Sequence, residues 1–273
     1  VPFTVSQPPP PAHPVKFGAS LGPIPEGDPS IQAWITTMGR PLDVRHVFEG
    51  STISQQPGWL AEAGKRRILA DFDPAHDGSQ ATAFDAALSV YKQAGLDLDV
   101  TLWHAAPTKG FATPADLFAA LAHYVPLLRK HGYRYIYDLN SWQAIHENQW
   151  QPWFPVDPAI KPDACGLEYY IQAYLGGQRL EACAAVAHAL GVPFGLCELG
   201  ANFGKYTEQQ GIEFLTYVLN FCKAQVAAGH LEGVYDVVLW NDVVGNTAPG
   251  FPVTTQPASW LQLYREIAVA IGA

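Results

Sequence analysis

Apolar and polar residues alternate in blocks along most of the chain, and the blocks carry two different periods. Short runs rich in β-branched and aromatic residues fall at 15–21, 44–48, 67–72, 100–104, 133–139, 164–169, 194–198 and 235–240. Their length and composition predict buried strands. Between them lie longer stretches with apolar residues every three to four positions, at 79–94, 114–131, 177–190, 207–228 and 257–271, which predict helices. Thr113 precedes Pro114, an N-cap followed by proline at the first helical position. Thr207 with Gln210 three residues on has the pattern of a capping box. Gly95, Gly132, Gly191 and Gly229 follow helices where a left-handed residue is expected.

Eight strands alternating with helices, spaced by roughly thirty residues, predict a single (β/α)8 TIM barrel over residues 15–273. A doubly wound nucleotide-binding sheet would need a glycine fingerprint after an early strand, and Phe17-Gly18-Ala19-Ser20-Leu21-Gly22 only echoes one. Residues 1–14, with four consecutive prolines from Pro8 to Pro11, predict an extended proline-rich arm or linker. A start at Val1 fits a processed or trimmed product.

Composition narrows the function. The 273 residues are 48% hydrophobic and 15% charged, and 16 Lys+Arg against 25 Asp+Glu leave a net charge of −9. Such a chain has no basic excess with which to displace counterions from nucleic acid, so nucleic acid is not an expected partner. No apolar run reaches the ~20 residues of a membrane span, and no membrane insertion is expected. Cys165, Cys183, Cys197 and Cys222 lack CxxC spacing and read as small buried hydrophobes, with a disulfide left open. Aromatics make up 12%, including 8 Trp and 12 Tyr. That is more than a core requires, and flat rings are what sugars pack on.

In a barrel of this kind the chemistry lies at the C-terminal ends of the strands. The candidates there are Glu49, Asp71 with Asp73, His104, Asp138 with Asn140, Glu168 with Tyr170, Glu198, and Trp240 with Asp242. No lysine stands among them, which argues against a Schiff-base aldolase. Glu198 is the sharpest candidate, because an apolar strand ends abruptly in its carboxylate, and burying a carboxylate is costly unless it is paired. The alternative for Glu198 is a structural salt bridge at the rim. Asp71, Asp73, His76 and Asp77, with His46 and His104, admit a divalent-metal hydrolase. The segment lacks metal-motif spacing, however, and its Asp-Pro and Asp-Gly pairs are ordinary turn chemistry, so no metal or other cofactor is expected. Asp71 and Asp73 are read instead as bonding sugar hydroxyls or neighbouring strands, and His104 as a polar positioning residue. Asp138 and Asn140 either recognise hydroxyls or cap the loop. Trp142, Trp150, Trp153 and Phe154 share one loop; half are assigned to loop packing. The others, with Trp59, Tyr169, Phe203 and Trp240, are candidate sugar platforms, and Trp34 is assigned to the core.

Four segments resemble the retaining glycosidases of clan A, most of all glycoside hydrolase family 26, the β-mannanase-like barrels. Pro193-Phe194-Gly195-Leu196-Cys197-Glu198-Leu199-Gly200 resembles the strand-seven nucleophile motif. Phe154-Pro155-Val156-Asp157 followed by Gly166-Leu167-Glu168-Tyr169-Tyr170 resembles the strand-six entry, a Pro-Gly-Asp turn and then Gly-x-Asp-x-Tyr. Leu102-Trp103-His104 and Val237-Val238-Leu239-Trp240 resemble strands four and eight. The resemblance implies Glu198 as nucleophile, Tyr170 as the tyrosine bonded to it, and Trp240 as the floor of a sugar subsite. It places the acid/base glutamate directly after His104, where this chain has Ala105.

A retaining glycosidase needs two carboxyl groups about 5–5.5 Å apart, one to attack and one to protonate the leaving oxygen. Three accounts of Ala105 stay open: an engineered knockout made to trap substrate, a proton supplied by Asp138, Glu168 or Asp71, or a catalytically inactive glycan-binding barrel. The expectation carried forward is retaining hydrolysis of an internal bond in a polysaccharide, without a cofactor. The protein is expected to be a monomer acting outside the cell, secreted, on a cell surface or on a virion.

Overall fold

The computed structural model describes residues 15–19, 29–50, 57–60, 62–103, 110–140, 151–201, 205–235, 237–238 and 256–272. Its strands are β1 (Lys16–Ala19), β2 (Val44–Gly50), β3 (Arg67–Phe72), β4 (Leu98–Leu102), β5 (Arg134–Asn140), β6 (Ala164–Tyr170), β7 (Phe194–Gly200), β8 (Leu231–Val234) and the two-residue β9 (Val237–Val238). Each of β1 to β8 pairs in parallel with the next, and β8 pairs with β1. The sheet therefore closes on itself. β9 continues the eighth stave against β7. This is a (β/α)8 TIM barrel, as the alternation predicts.

The described helices are α1 (Pro29–Met38), α2 (Pro57–Leu60), α3 (Ala81–Gln93), α4 (Pro114–Lys130), α5 (Ile171–Leu175), α6 (Leu180–Ala189), α7 (Glu208–Ala227) and α8 (Ala258–Ile271). α4 and α7 begin in full capping boxes, Thr113 with Asp116 and Thr207 with Gln210, which satisfy backbone N–H groups left orphaned by the first turn. Trp34, assigned to the core from its helical setting, is buried against Phe17.

Side chains alternate across each strand, and the burial clusters sort the two faces. Outward residues such as Phe72, Leu102, Tyr137, Leu167 and Leu199 join the large core between barrel and helices. Inward residues Val44, Leu69, Ile136, Ala164, Cys197 and Tyr235 form a second cluster inside the barrel. Below it, at the N-terminal ends of the strands, the floor is ionic. Arg67 Nη1 lies 3.0 Å from Asp99 Oδ1, Arg134 Nη1 2.7 Å from Glu232 Oε1 and 3.6 Å from Asp99 Oδ2, and Lys16 Nζ 3.9 Å from Asp99 Oδ2. Burial works against the Arg134 charge, but Asp99 and Glu232 outweigh it and raise its pKa.

Two strand starts differ from expectation. β4 begins at Leu98 rather than 100, and the eighth stave begins at Leu231 rather than 235. In both, the missed turn of strand carries an acid, Asp99 or Glu232, that belongs to this buried floor.

Candidate active site

The C-terminal ends of β6 and β7 carry the centre of the site. On β6 the outward positions Cys165, Leu167 and Tyr169 belong to the outer core, so Gly166, Glu168 and Tyr170 follow Ala164 on the inner face. On β7 simple alternation would put Glu198 on the same face as Leu196, in the outer core. A bulge prevents this: Leu167 pairs with Leu196, but Glu168 pairs with Glu198, so Cys197 is an extra residue. Cys197 and Glu198 both turn inward, and Leu199 returns to the outer core.

The bulge depends on Gly166. A Cβ at that position would stand 1.9 Å from Cys197 Sγ, so glycine makes room for the thiol that displaces Glu198. Burial pushes the Cys197 thiol well above its ordinary pKa, and the carboxylates of Asp138 and Asp71 beside it act in the same direction.

Glu198 is 6% exposed and Tyr170 9%, and the Tyr170 hydroxyl donates to Glu198 Oε2. A carboxylate that accepts such a bond is fixed in orientation. Glu168, in register beside Glu198, is the one position of β6 that is not fully buried. Asp138 pairs in register with Gly166, one inward step below Glu168, and is 3% exposed. Asp71 accepts from the Thr101 hydroxyl of β4 and faces His46 Nε2 of β2 at 2.9 Å, so its bonds go to neighbouring strands.

The remaining candidates divide. Asn140 ends β5 in register with Glu168, and Glu49 is the extra residue of a bulge between Phe48 and Gly50 on β2; their backbones are described and their side chains are not. His104, Ala105, Trp142, Trp150, Phe203 and Trp240 lie outside the described residues. Immediately before His104, Trp103 takes φ 55°. Two aromatic assignments are corrected. Trp59 is buried between Phe72 and Tyr91. Tyr169 is buried against Phe214, its hydroxyl donating to the Gln178 carbonyl. Both rings fill the layer between barrel and helices rather than facing a ligand. Phe154 is likewise buried, edge-on to Tyr137, whose hydroxyl donates to the Trp153 carbonyl.

The 71–77 segment does not converge on one point. Asp71 points into the barrel, His76 stacks on Phe111 at 4.0 Å, and Asp77 accepts from the Ser79 N–H in an exposed turn. Among the described residues no group of three or more His, Cys, Asp or Glu side chains could hold a metal ion. The residues that sequence reasoning missed are Thr101, which fixes Asp71, and the Gly166–Cys197 pair, which turns Glu198 inward. A glycine and a cysteine inside apolar strands give no chemical signal in the sequence.

No known family pattern matches the sequence, and no curated protein does. Solved structures do match. An endo-β-1,3-glucanase of glycoside hydrolase family 128 from Amycolatopsis mediterranei, in complex with laminaritriose, is 16% identical with a TM-score of 0.58, over 93% of this chain and 99% of that one. The barrel is similar to those of clan A glycoside hydrolases. A family 39 glycoside hydrolase from Bacteroides cellulosilyticus WH2 is 13% identical (TM-score 0.60; 95% of this chain, 64% of that one). The family 26 domain of an endo-β-mannanase/endo-β-glucanase from Prevotella bryantii is 10% identical (TM-score 0.55; 94% and 89%). At these identities the likeness is one of fold, and it extends to families 5 and 10 without singling out any family.

Proposed function

We propose that this barrel cleaves a bond in a β-linked polysaccharide with retention of configuration, Glu198 acting as the nucleophile and Tyr170 positioning it. The observation that carries the reading is the Tyr170 hydroxyl on a Glu198 carboxylate that a bulge has turned to the inner face at the C-terminal end of β7. Glu198 attacks the anomeric carbon, forms a covalent glycosyl-enzyme through an oxocarbenium-like transition state, and is released by water. No cofactor takes part. β-Linkage is supported by the similar structures, among them a β-1,3-glucanase, a β-mannanase/β-glucanase and a xylanase with xylohexaose. Within the clan, the strand-six and strand-seven motifs favour a family 26-like enzyme. A polysaccharide substrate outside the cell and a monomeric enzyme complete the reading.

Ala105 supports a second reading, in which the barrel binds glycan and does not cut it. One reagent class separates the two. A 2,4-dinitrophenyl 2-deoxy-2-fluoro-β-glycoside, in its gluco, manno and xylo forms, carries a leaving group that needs no proton and a fluorine that slows release from the nucleophile. Retaining chemistry predicts a one-to-one covalent adduct on a peptide containing Glu198, seen by mass spectrometry and lost in Glu198→Ala. Glycan binding without an adduct from any of the three reagents would overturn the catalytic reading in favour of the second.

A further inference from the structure

The resembled motif leaves half of the reaction unassigned, because alanine at 105 cannot carry a proton. We propose that Glu168 is the general acid/base of this barrel. The inference rests on Glu198 being the nucleophile and adds the partner that reading lacks.

Within the strands, the carboxylates with described side chains that belong to the inner face toward the C-terminal ends are Asp71, Asp138, Glu168 and Glu198. Asp71 is committed below the site, accepting from Thr101 on one side and facing His46 on the other. Asp138 stands one inward step deeper than Glu198, beside the Cys197 thiol. Glu168 differs from both. It is opposite Glu198 in the register of β6 and β7, on the same face, and it is partly open where its strand is otherwise buried.

Neighbouring strands run about 4.8 Å apart. Carboxyl groups rooted on paired residues of one face therefore stand within reach of the ~5–5.5 Å that a retaining pair uses. The Cys197 bulge creates this pairing; without it Glu198 would share the outward face of Leu196. The hydrogen bonding also divides the roles. The phenol donor on Glu198 orients the nucleophile, and the double displacement needs its partner, Glu168, to enter the first step as the acid. The sequence is consistent with this exchange. Glu168 stands where the resembled motif has aspartate, one methylene longer, in a chain whose other acid/base position is Ala105.

The steps balance. In the first, a Glu198 oxygen bonds to the anomeric carbon while the glycosidic C–O bond breaks. The leaving oxygen takes that electron pair and the Glu168 proton. In the second, Glu168 as carboxylate takes a proton from water, the hydroxyl bonds to the anomeric carbon, and the electron pair of the ester bond returns to Glu198.

The test compares the unaltered chain, Glu168→Gln, Glu168→Asp and Ala105→Glu on three polysaccharides (β-1,3-glucan, β-1,4-mannan and β-1,4-xylan) and on the matching dinitrophenyl glycosides, with circular dichroism to verify folding. The proposal expects the unaltered chain to cut one of the polysaccharides. Glu168→Gln should lower that rate by ~10²–10⁴-fold and lower the first-turnover release of dinitrophenolate far less. Sodium azide should restore turnover of the dinitrophenyl glycoside in this variant, with glycosyl azide as product. Glu168→Asp, which keeps an acid in a shortened form, should retain more polysaccharide cleavage than Glu168→Gln. Glu168→Gln cutting polysaccharide at the unaltered rate would overturn the proposal. So would equal loss on both substrate types in a folded variant, the mark of a structural role. An unaltered chain inert toward polysaccharide, whether or not Ala105→Glu restores cleavage, would overturn it as well. In that case the Glu198 reading survives provided the fluoro-sugar adduct forms. Failure to form the adduct removes both.

Discussion

The ionic floor of the barrel makes a quantitative prediction. Glu232 is 3% exposed and its Oε1 is 2.7 Å from Arg134 Nη1. At an effective dielectric of about 20 such a pair attracts by roughly 6 kcal/mol, much of it offset by the desolvation of both groups. The cluster holds three cations, Lys16, Arg67 and Arg134, against two acids, Asp99 and Glu232. Glu232→Leu would leave Lys16 and Arg134 facing Asp99, with Arg67 shared between Asp99 and the exposed Asp97, and breaking one partner from a buried pair costs about 3–5 kcal/mol. Arg134→Leu should cost a similar amount, because among the described residues Glu232 would then keep the Tyr235 hydroxyl at 3.3 Å as its hydrogen-bond partner. The double variant removes both charges together, so it should cost at least ~2 kcal/mol less than the sum of the singles. Urea unfolding followed by circular dichroism at constant pH measures all four corners of the cycle. Single variants each costing under about 1 kcal/mol, or a double variant whose loss equals the sum, would refute the claim that this floor is a coupled buried network.

Two further outcomes follow from buried titrating groups. His188 packs on His230 with ring centroids 4.3 Å apart, and burial first and then His230 hold its pKa below the ordinary imidazole value. The folded state therefore binds fewer protons there than the unfolded chain. Its stabilising contribution is complete above the ordinary value and is lost as pH falls through the lowered one. Melting temperatures between pH 7.5 and 5 should fall less steeply in His188→Gln than in the unaltered protein, and an equal or steeper fall would contradict the assignment. Burial also pushes the thiols of Cys183 and Cys222 up to about 12, and those of Cys165 and Cys197 well above the usual range. All four cysteines are free and buried. The native protein should thus resist a thiol-specific disulfide reagent at pH 8 and react at four sites once denatured; rapid native reaction at any of them would count against the buried assignment.

Helix starts and the barrel itself were legible in the sequence because local rules and the global fold agree there. Thr113 and Thr207 cap their helices in the structure as their spacing implies, and the strand–helix alternation closes into the barrel it predicts. The bottom of the barrel was less legible, since Asp99 and Glu232 interrupt apolar runs and look like loop residues until Lys16, Arg67 and Arg134 are placed around them. Trp59 and Tyr169 misled for a different reason. A large ring near a strand end reads the same whether it faces a ligand or the helix layer, and only packing against Tyr91 or Phe214 decides. Glu198 stood out as a carboxylate closing an apolar strand. Its direction did not, because a period of two assigns it to the face of Leu196, and the bulge that reverses it is encoded by a glycine one strand away.

Three departures from the local rules share one face of the barrel. Glu49 is the extra residue of a bulge near the end of β2, Cys197 is that of a bulge near the end of β7, and Trp103, just past β4, takes φ 55°. All three lie at the C-terminal face. A bulky residue in the left-handed region costs on the order of 1–3 kcal/mol and persists only where its surroundings over-determine it. Trp103 is held in that way: its N–H donates to the Phe72 carbonyl and its Nε1–H to the Pro74 carbonyl, both at 2.8 Å, and its ring packs against Phe111 and Tyr124. A scaffold with no use for this face would have no reason to keep such a conformation directly before residues 104 and 105, or to admit a thiol where Gly166 leaves space for it. A further register shift, between Phe194 and Leu196 of β7 against β8, lies nearer the N-terminal ends, but the left-handed backbone of Trp103 stands at the face where Tyr170 meets Glu198.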